Sequence, residues 1–561
     1  MHNAARTLLA LTATALLTGF LWLLLHNQSQ TEYLTYYDFW RNYNVLAGYG
    51  SVDEYLFHDV HTYALASLIW SLDVWLAGGS LVLLHAIVLG LNLAIAGCLG
   101  LLTLRLLRTA DVSRTSAAAV VATAMALWLS PSNSVGLTYP VMDIIASAML
   151  LFVCLTAIVV GSAPGQTLTE RGRHGRELGY LCVAALGFFS LEPFIAVPLF
   201  LAVDAALRRR HPEVLVHLVI AAVLLALYFA LRERPVLQEA APALHWEWLA
   251  FSYNLLVFLS MHVLMVLNSF GLSTGAATYI AIAASVIQLT SLAVFAVAHY
   301  DRESREDTSP RFALALAAVG LLAVALAAWL RNSTSVMTEP VARYTPYSIL
   351  FSMGVFFLSV RGSLTTKGPL ARVVSWMAML VILGYLAADA YAFWWRSYNP
   401  AETFAQSRLE MPVYATAPGS EVGLGPSEPD GGVAFRSRLH PFLKGRALAV
   451  FASPGYRWLG KPLPPVVTSD DARCALLGEE DAPGQRPQYT LVTVSVQGMR
   501  DNGVFLAADA TGITQAFGFP AKRHPAQKTL RTLLPERDQN WAQLYYAEVR
   551  GGDLVSAVVC R

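Results

Sequence analysis

Charge is what this chain has least of. Only 14% of its 561 residues are Asp, Glu, Lys or Arg, where a water-soluble protein carries roughly 25%. The formal net charge is +1, so no global field draws in nucleic acid. There is no Walker motif, no GxGxxG ahead of a helix and no CxxC pair. ATP-driven transport and nicotinamide chemistry therefore lack support. Internal repeats and coiled-coil heptads are missing too. Of the five cysteines, Cys98, Cys154 and Cys182 lie in apolar runs and read as ordinary buried residues. Cys474 and Cys560 lie in a polar C-terminal part and make a natural disulfide pair if that part is exported.

Apolar residues fill the space that charge leaves. They make up 55% of the chain, with a mean hydropathy of +0.49. Runs long enough to cross hydrocarbon recur near 7–25, 80–105, 116–130, 141–161, 178–191, 193–207, 214–231, 276–298, 312–330, 346–360 and 372–394. The first resembles a signal peptide, but His26-Asn27-Gln28 follow where small residues would mark cleavage, so it reads as a retained span. Another run, 249–270, carries Asn254, His262 and Asn268 and reads as re-entrant or interfacial, or else as one further crossing. The expectation is a mainly α, polytopic transmembrane bundle of about 11–13 spans.

Arginine and lysine gather in alternate loops: Arg105, Arg108 and Arg114; Arg171, Arg173 and Arg176; Arg208, Arg209 and Arg210; Arg302, Arg305 and Arg311; Arg361, Lys367 and Arg372. By the positive-inside rule these loops are cytoplasmic. The first loop, 26–79, and everything after Trp395 then lie outside. The expected setting is a bacterial inner membrane, with residues 396–561 forming an extracytoplasmic β-rich domain, read as a sandwich. Strand-like runs fall at 447–452, 489–496, 504–508, 515–519, 543–549 and 554–559, and 416–432 reads as a flexible loop.

Chemistry-bearing residues cluster in the first loop. Asp38, in YYDFW, suits a general base on an acceptor hydroxyl. It equally suits a divalent cation such as Mg or Mn beside a leaving phosphate, or a helix cap paired with Arg41. Glu54, His58 and His61, flanked by Asp53 and Asp59, share one face if the segment is helical. That face reads as a metal or phosphate site, or as the wetted side of an interfacial helix lining the cavity. Glu192 precedes Pro193 between two apolar runs, and a carboxylate at membrane depth is a functional candidate. Arg343 and Tyr344 precede a late span and suit a lipid-linked phosphate, Arg through its fork of donors. Arg232 is a further phosphate candidate and Asp143 a further cavity residue.

Four stretches in order carry a family resemblance: YYDFW, the 61–92 entry into the second span, SLEPFIAVP and ARYTP. Together they resemble the GT-C superfamily of multispanning glycosyltransferases, including its mannosyl- and aminoarabinose-transferring members, over about residues 7–395. The resemblance implies a sugar donor on polyprenyl phosphate and a glycan, lipid or protein acceptor on the outer face. It implies Asp38 as catalytic carboxylate, Glu192 as cavity wall or site, and Arg343 near the donor phosphate. Many relatives carry adjacent acidic residues just after the first span; here Phe39 follows Asp38, and the adjacent pair is the later Asp53-Glu54. The alternatives are a transporter or flippase of lipid-linked saccharide, a surface-glycan polymerase or ligase, and a scaffold whose β domain binds.

Overall fold

The computed structural model of the chain describes residues 2–34, 38–52, 57–58, 61–62, 64–107, 112–133, 148, 151–156, 170–190, 192–230, 247–300, 311–332, 344–365, 368–417, 431–467, 473–481, 489–499, 503–522, 524–535 and 541–561. It divides into two compact units with interleaved segments. One holds Met1–Leu24, Leu56–Ala66 and Val88–Pro400; the other holds Leu25–Tyr55, Ser67–Ile87 and Ala401–Arg561.

The helical part runs α1 (His2–Ser29), α2 (Asp38–Leu46), a short hairpin β1 (Phe57–His58) and β2 (His61–Thr62), α3 (Ala64–Ala77), α4 (Val82–Leu107) and α5 (Arg114–Trp128). It continues with α6 (Glu170–Ser190), α7 (Ala196–Leu207), α8 (His211–Ala230), α9 (Trp248–Leu259), α10 (Met261–Ser269), α11 (Thr274–Tyr300), α12 (Arg311–Asn332), α13 (Thr345–Thr365) and α14 (Pro369–Arg396). Among the described residues, seven helices are long and apolar enough to cross a membrane, and α9–α10, bent by 70°, adds an eighth if it is one span. This is fewer than the 11–13 expected. The runs at 178–191 and 193–207 yield apolar helices under eighteen residues, and most of 141–161 lies outside the described residues. The 249–270 run breaks at Ser260 between α9 and α10.

Local chemistry sets the helix ends. Ser113 caps α5 by accepting from Ser116 N–H at 3.2 Å. α14 opens with Pro369 behind extended Gly368 and closes on Ser397 in the left-handed region (φ 51°). The most enclosed span is α13, 83% buried over its apolar window. It meets α12 closely because Gly320 and Gly354 carry no Cβ: one would strike the Phe351 backbone, the other the Ala317 backbone. Small residues at such a crossing let packing hold helices together where lipid is as apolar as the side chains.

The second unit joins early and late parts of the chain. Its late part comprises α15 (Glu402–Leu409), α16 (Met411–Thr416), α17 (Gly431–Gly445), α18 (Pro454–Trp458) and strands β3 (Arg473–Asp481), β4 (Tyr489–Gln497), β5 (Val504–Ala508), β6 (Thr514–Gly518), β7 (Thr529–Pro535), β8 (Gln543–Arg550) and β9 (Asp553–Val559). The sheets are ordered β3-β4-β7 and β6-β5-β8-β9, all antiparallel. Val492, Val494, Leu530 and Leu534 from one sheet and Phe505, Leu544, Tyr546 and Val558 from the other fill one core. Cys474 and Cys560 are joined in a disulfide at its margin, Cα–Cα 4.4 Å. Of the three other cysteines, Cys182 is exposed on α6 rather than buried.

Early residues are tied into this unit by polar contacts. Buried Arg408 donates to Glu32 O at 2.8 Å and Pro520 O at 3.0 Å, its guanidinium lying over the Phe519 ring. Lys522 N–H donates to Gln30 Oε1 at 2.9 Å and Arg438 to Asn44 Oδ1 at 2.8 Å. The Asp73 carboxylate accepts from Leu81, Leu83 and Leu84 N–H at 2.8, 2.9 and 3.2 Å. It thereby caps the start of α4 across a tight turn.

Two expectations about the late chain change. The described residues of 402–458 are largely helical, and 447–452 is no strand: Ala449–Ala452 form a 3-10 turn, with Ala447 and Ala449 at positive φ. An apolar run this short is equally compatible with a strand or a buried turn. The 416–432 loop lies mostly outside the described residues.

Candidate functional site

Asp38 opens α2, and Glu192 opens the 3-10 turn Glu192–Ile195 between α6 and α7. Arg343, Arg232, Asp53, Glu54, Asp59 and Asp143 lie outside the described residues. The shared helix face expected for Glu54, His58 and His61 fails at both histidines. They sit opposite one another as paired strand residues, with Phe57 opposite Thr62. The intervening turn reverses the chain, so a spacing of 3.6 residues per turn no longer applies. β2 packs against α6, the helix that ends just before Glu192. Tyr344 is half-buried at the head of α13, its ring against Phe258 (5.1 Å) and Tyr347 (6.3 Å). Among the described residues, no group of three or more His, Cys, Asp and Glu is arranged to hold a metal ion.

One turn below Tyr344 lies a buried polar centre that the motifs did not reveal. Asp389, fully buried on α14, accepts at Oδ2 from Ser132 N–H (3.1 Å), Ser132 Oγ–H (2.9 Å) and the Tyr385 hydroxyl (3.1 Å). Ser130 approaches the same tyrosine at 2.6 Å, and Ser132 Oγ also touches it. Asn133 donates to Trp128 O at 2.6 Å, turning the chain past the end of α5. The His262 ring, from α10, meets the Tyr385 ring edge-on at 4.5 Å.

His262 has both nitrogens engaged: Nδ1 with Ser348 Oγ at 2.9 Å, Nε2 with Ser352 Oγ at 3.3 Å. Ser352 donates its only proton to Gln288 Oε1 at 2.7 Å. Ser348 likewise donates to Thr345 O at 2.9 Å, so both hydroxyl oxygens present lone pairs to the imidazole. Residues from α5, α10, α11, α13 and α14 and the Pro131–Asn133 turn thus meet at one buried place. The centre holds a carboxylate among neutral partners, which is costly within apolar helices and marks a functional candidate.

A second centre contrasts with it. Asp204, on α7, faces Arg208 Nε at 3.0 Å, Arg311 Nη2 at 2.6 Å and the Tyr300 hydroxyl at 2.8 Å. Arg208 also contacts His299 Nε2. Both arginines are buried, although their sequence positions fall among the basic loop residues. They leave the orientation argument, which rests on the remaining loop arginines and lysines.

Outside the bundle, Glu410 precedes α16. Burial pushes its carboxyl up to about 7, against the pull of Arg436.

Comparison with protein-family models, curated proteins and solved structures gives no match to this chain. The site must therefore be read from its own residues. Two signals pointed toward the buried centre: an aspartate inside the apolar run 372–394, and His262 inside a polar-spotted run. The pairing of Asp389 with Ser132 spans 257 positions, and no local pattern encodes that.

Proposed function

We propose that the chain is an integral-membrane glycosyltransferase that takes sugar from a polyprenyl-phosphate donor and passes it to a glycan, lipid or protein acceptor on the outer face. The observation that carries this reading is the polar centre near one end of an apolar bundle. α14 ends at Arg396, and the chain then continues into the disulfide-bonded unit. A disulfide belongs to an oxidising compartment, so that end of α14 faces outward. Asp389 then lies seven residues, about 10 Å, inside the outer boundary. Tyr344 and Ser348, at the head of α13, belong to the same end. The reaction breaks a sugar–phosphate bond and leaves a phosphate that needs cationic support rather than a proton. Arg343 and Arg232 serve that phosphate, Asp38 takes the acceptor's proton, and Glu192 lines the cavity.

A transporter of lipid-linked saccharide is the second reading. The 70° break at Ser260 favours it, because discontinuous helices near polar sites are frequent in transporters. The test is sugar transfer from synthetic polyprenyl-phosphate sugars by the purified full chain and its Asp38→Asn variant. Transfer by wild type with at least a hundredfold loss in the variant supports the enzyme. Undiminished transfer by the variant removes Asp38 from the mechanism. No transfer with any donor, together with saccharide movement across reconstituted vesicles, replaces the enzyme with the transporter.

A further inference from the structure

We propose that Asp389 and Asn133 form a binding site for one sodium ion, buried where α5 ends against α14. The inference concerns the same polar centre as the sugar-transfer reading but does not require sugar transfer, and it rests on three observations. First, two oxygens here are buried without a hydrogen-bond donor: Asp389 Oδ1 and Asn133 Oδ1. Neither residue exposes any surface. The other atom of each side chain is committed, Oδ2 to Ser132 and Tyr385, and Nδ2 to Trp128 O. With the carboxyl ionised, both free oxygens only accept. Asn133 directly follows Ser132, whose N–H and hydroxyl hold the carboxylate, so the two residues share one anchor.

Second, nothing positive among the described residues answers the carboxylate. Its hydrogen-bond partners are serine and tyrosine. His262 reaches Tyr385 rather than the carboxylate, and its nitrogens face two serines. An uncompensated carboxylate among apolar helices is costly, and a cation removes that cost. Third, the site lies just beyond the C-terminus of α5 at Trp128. The last carbonyls of a helix present partial negative charge and favour a cation.

The ligand chemistry narrows the ion. All-oxygen, uncharged-plus-one-carboxylate ligation suits a hard cation rather than a thiophilic or imidazole-seeking metal. Calcium is normally held by several carboxylates and magnesium keeps several waters, whereas a single carboxylate neutralises a monovalent ion. Ser130 Oγ, which meets the Tyr385 hydroxyl at 2.6 Å, and water would complete the shell.

The experiment is thermal unfolding of the purified full chain in detergent, in NaCl, KCl or choline chloride at equal ionic strength. Sodium is expected to raise Tm by about 3 °C over choline in a saturable way. Asp389→Asn and Asn133→Leu are each expected to lose that increment. Equal Tm in sodium and choline overturns the proposal, as does an increment retained in both variants. An equal or larger response to potassium overturns sodium as the ion. A Tm that follows pH rather than sodium, and flattens in Asp389→Asn, assigns the site to a proton and overturns it as well. If neither variant folds, radioactive sodium binding to wild type decides: one competable ion per chain supports the site, none overturns it.

Discussion

Asp204 and Asp389 are both fully buried within apolar helices, yet they are answered in opposite ways. Asp204 meets two guanidinium groups and a phenol. Asp389 meets only neutral donors, and one of its oxygens meets none. The first is a clamp: it ties the end of α7 to the end of α11 and the start of α12. The second is an unclosed site, held in shape by hydroxyl groups and open to a charge from elsewhere. Burial alone thus says little about what a carboxylate does; the charge of its partners separates structure from function.

The largest test of this contrast is Asp204→Ala. It removes the carboxylate that Arg208 and Arg311 share, and a loss of about 4 kcal/mol in unfolding free energy is expected from denaturant titration of the purified protein. A loss under about 1 kcal/mol would show that the clamp contributes little. Removing a hydroxyl discriminates next. Tyr385→Phe leaves Asp389 and Ser130 each short of a partner and is expected to cost about 2 kcal/mol. Tyr300→Phe, where Asp204 keeps both arginines, is expected to cost less than half as much; equal costs would erase the distinction between the two centres.

Glu410 is the intermediate case, a carboxylate with a single arginine acting on it, Arg436, outside the bundle. The folded chain holds its proton up to about pH 7, whereas its ordinary value is 4.5. Its stabilising contribution is therefore complete below the ordinary value and is lost as pH rises through 7. Glu410→Gln should be neutral at pH 4 and stabilising by about 3 kcal/mol at pH 8, read as a flatter Tm-against-pH curve. An unchanged curve would mean that Arg436 fully compensates the buried charge. The smallest effect belongs to Asp389→Asn. Its neutral partners suit an amide, so stability should change by less than about 1 kcal/mol in the absence of sodium. A loss as large as that of Asp204→Ala would make Asp389 structural too.

Sequence pattern revealed the elements that depend on local order. Helices α1, α4, α5, α8, α11, α13 and α14 follow apolar runs of span length, and strands β4, β5, β6, β8 and β9 follow alternating runs. β3 and β7 went unseen. β3 ends in Glu479, Glu480 and Asp481, and β7 carries Arg531 among leucines, so neither shows a clean period. The candidate site was legible only in part. Tyr344 was singled out and sits next to the buried centre, and His262 was noticed as a polar residue in an apolar run. Asp389, Tyr385, Ser130 and Ser132 were not, because each is a lone polar residue whose meaning comes from a partner far along the chain.

The interleaving of the second unit bears on how the chain is made. Residues 25–55 and 67–87 join a unit whose remaining part begins at Ala401, about 350 residues after Tyr55. At roughly 5–20 residues per second of synthesis, these early segments wait roughly 20–70 s for their partners. During that wait Trp40 lacks the Tyr414 ring that packs against it in the folded unit. The order of translation thus leaves segments 25–55 and 67–87 exposed to quality control until the late part of their unit is made.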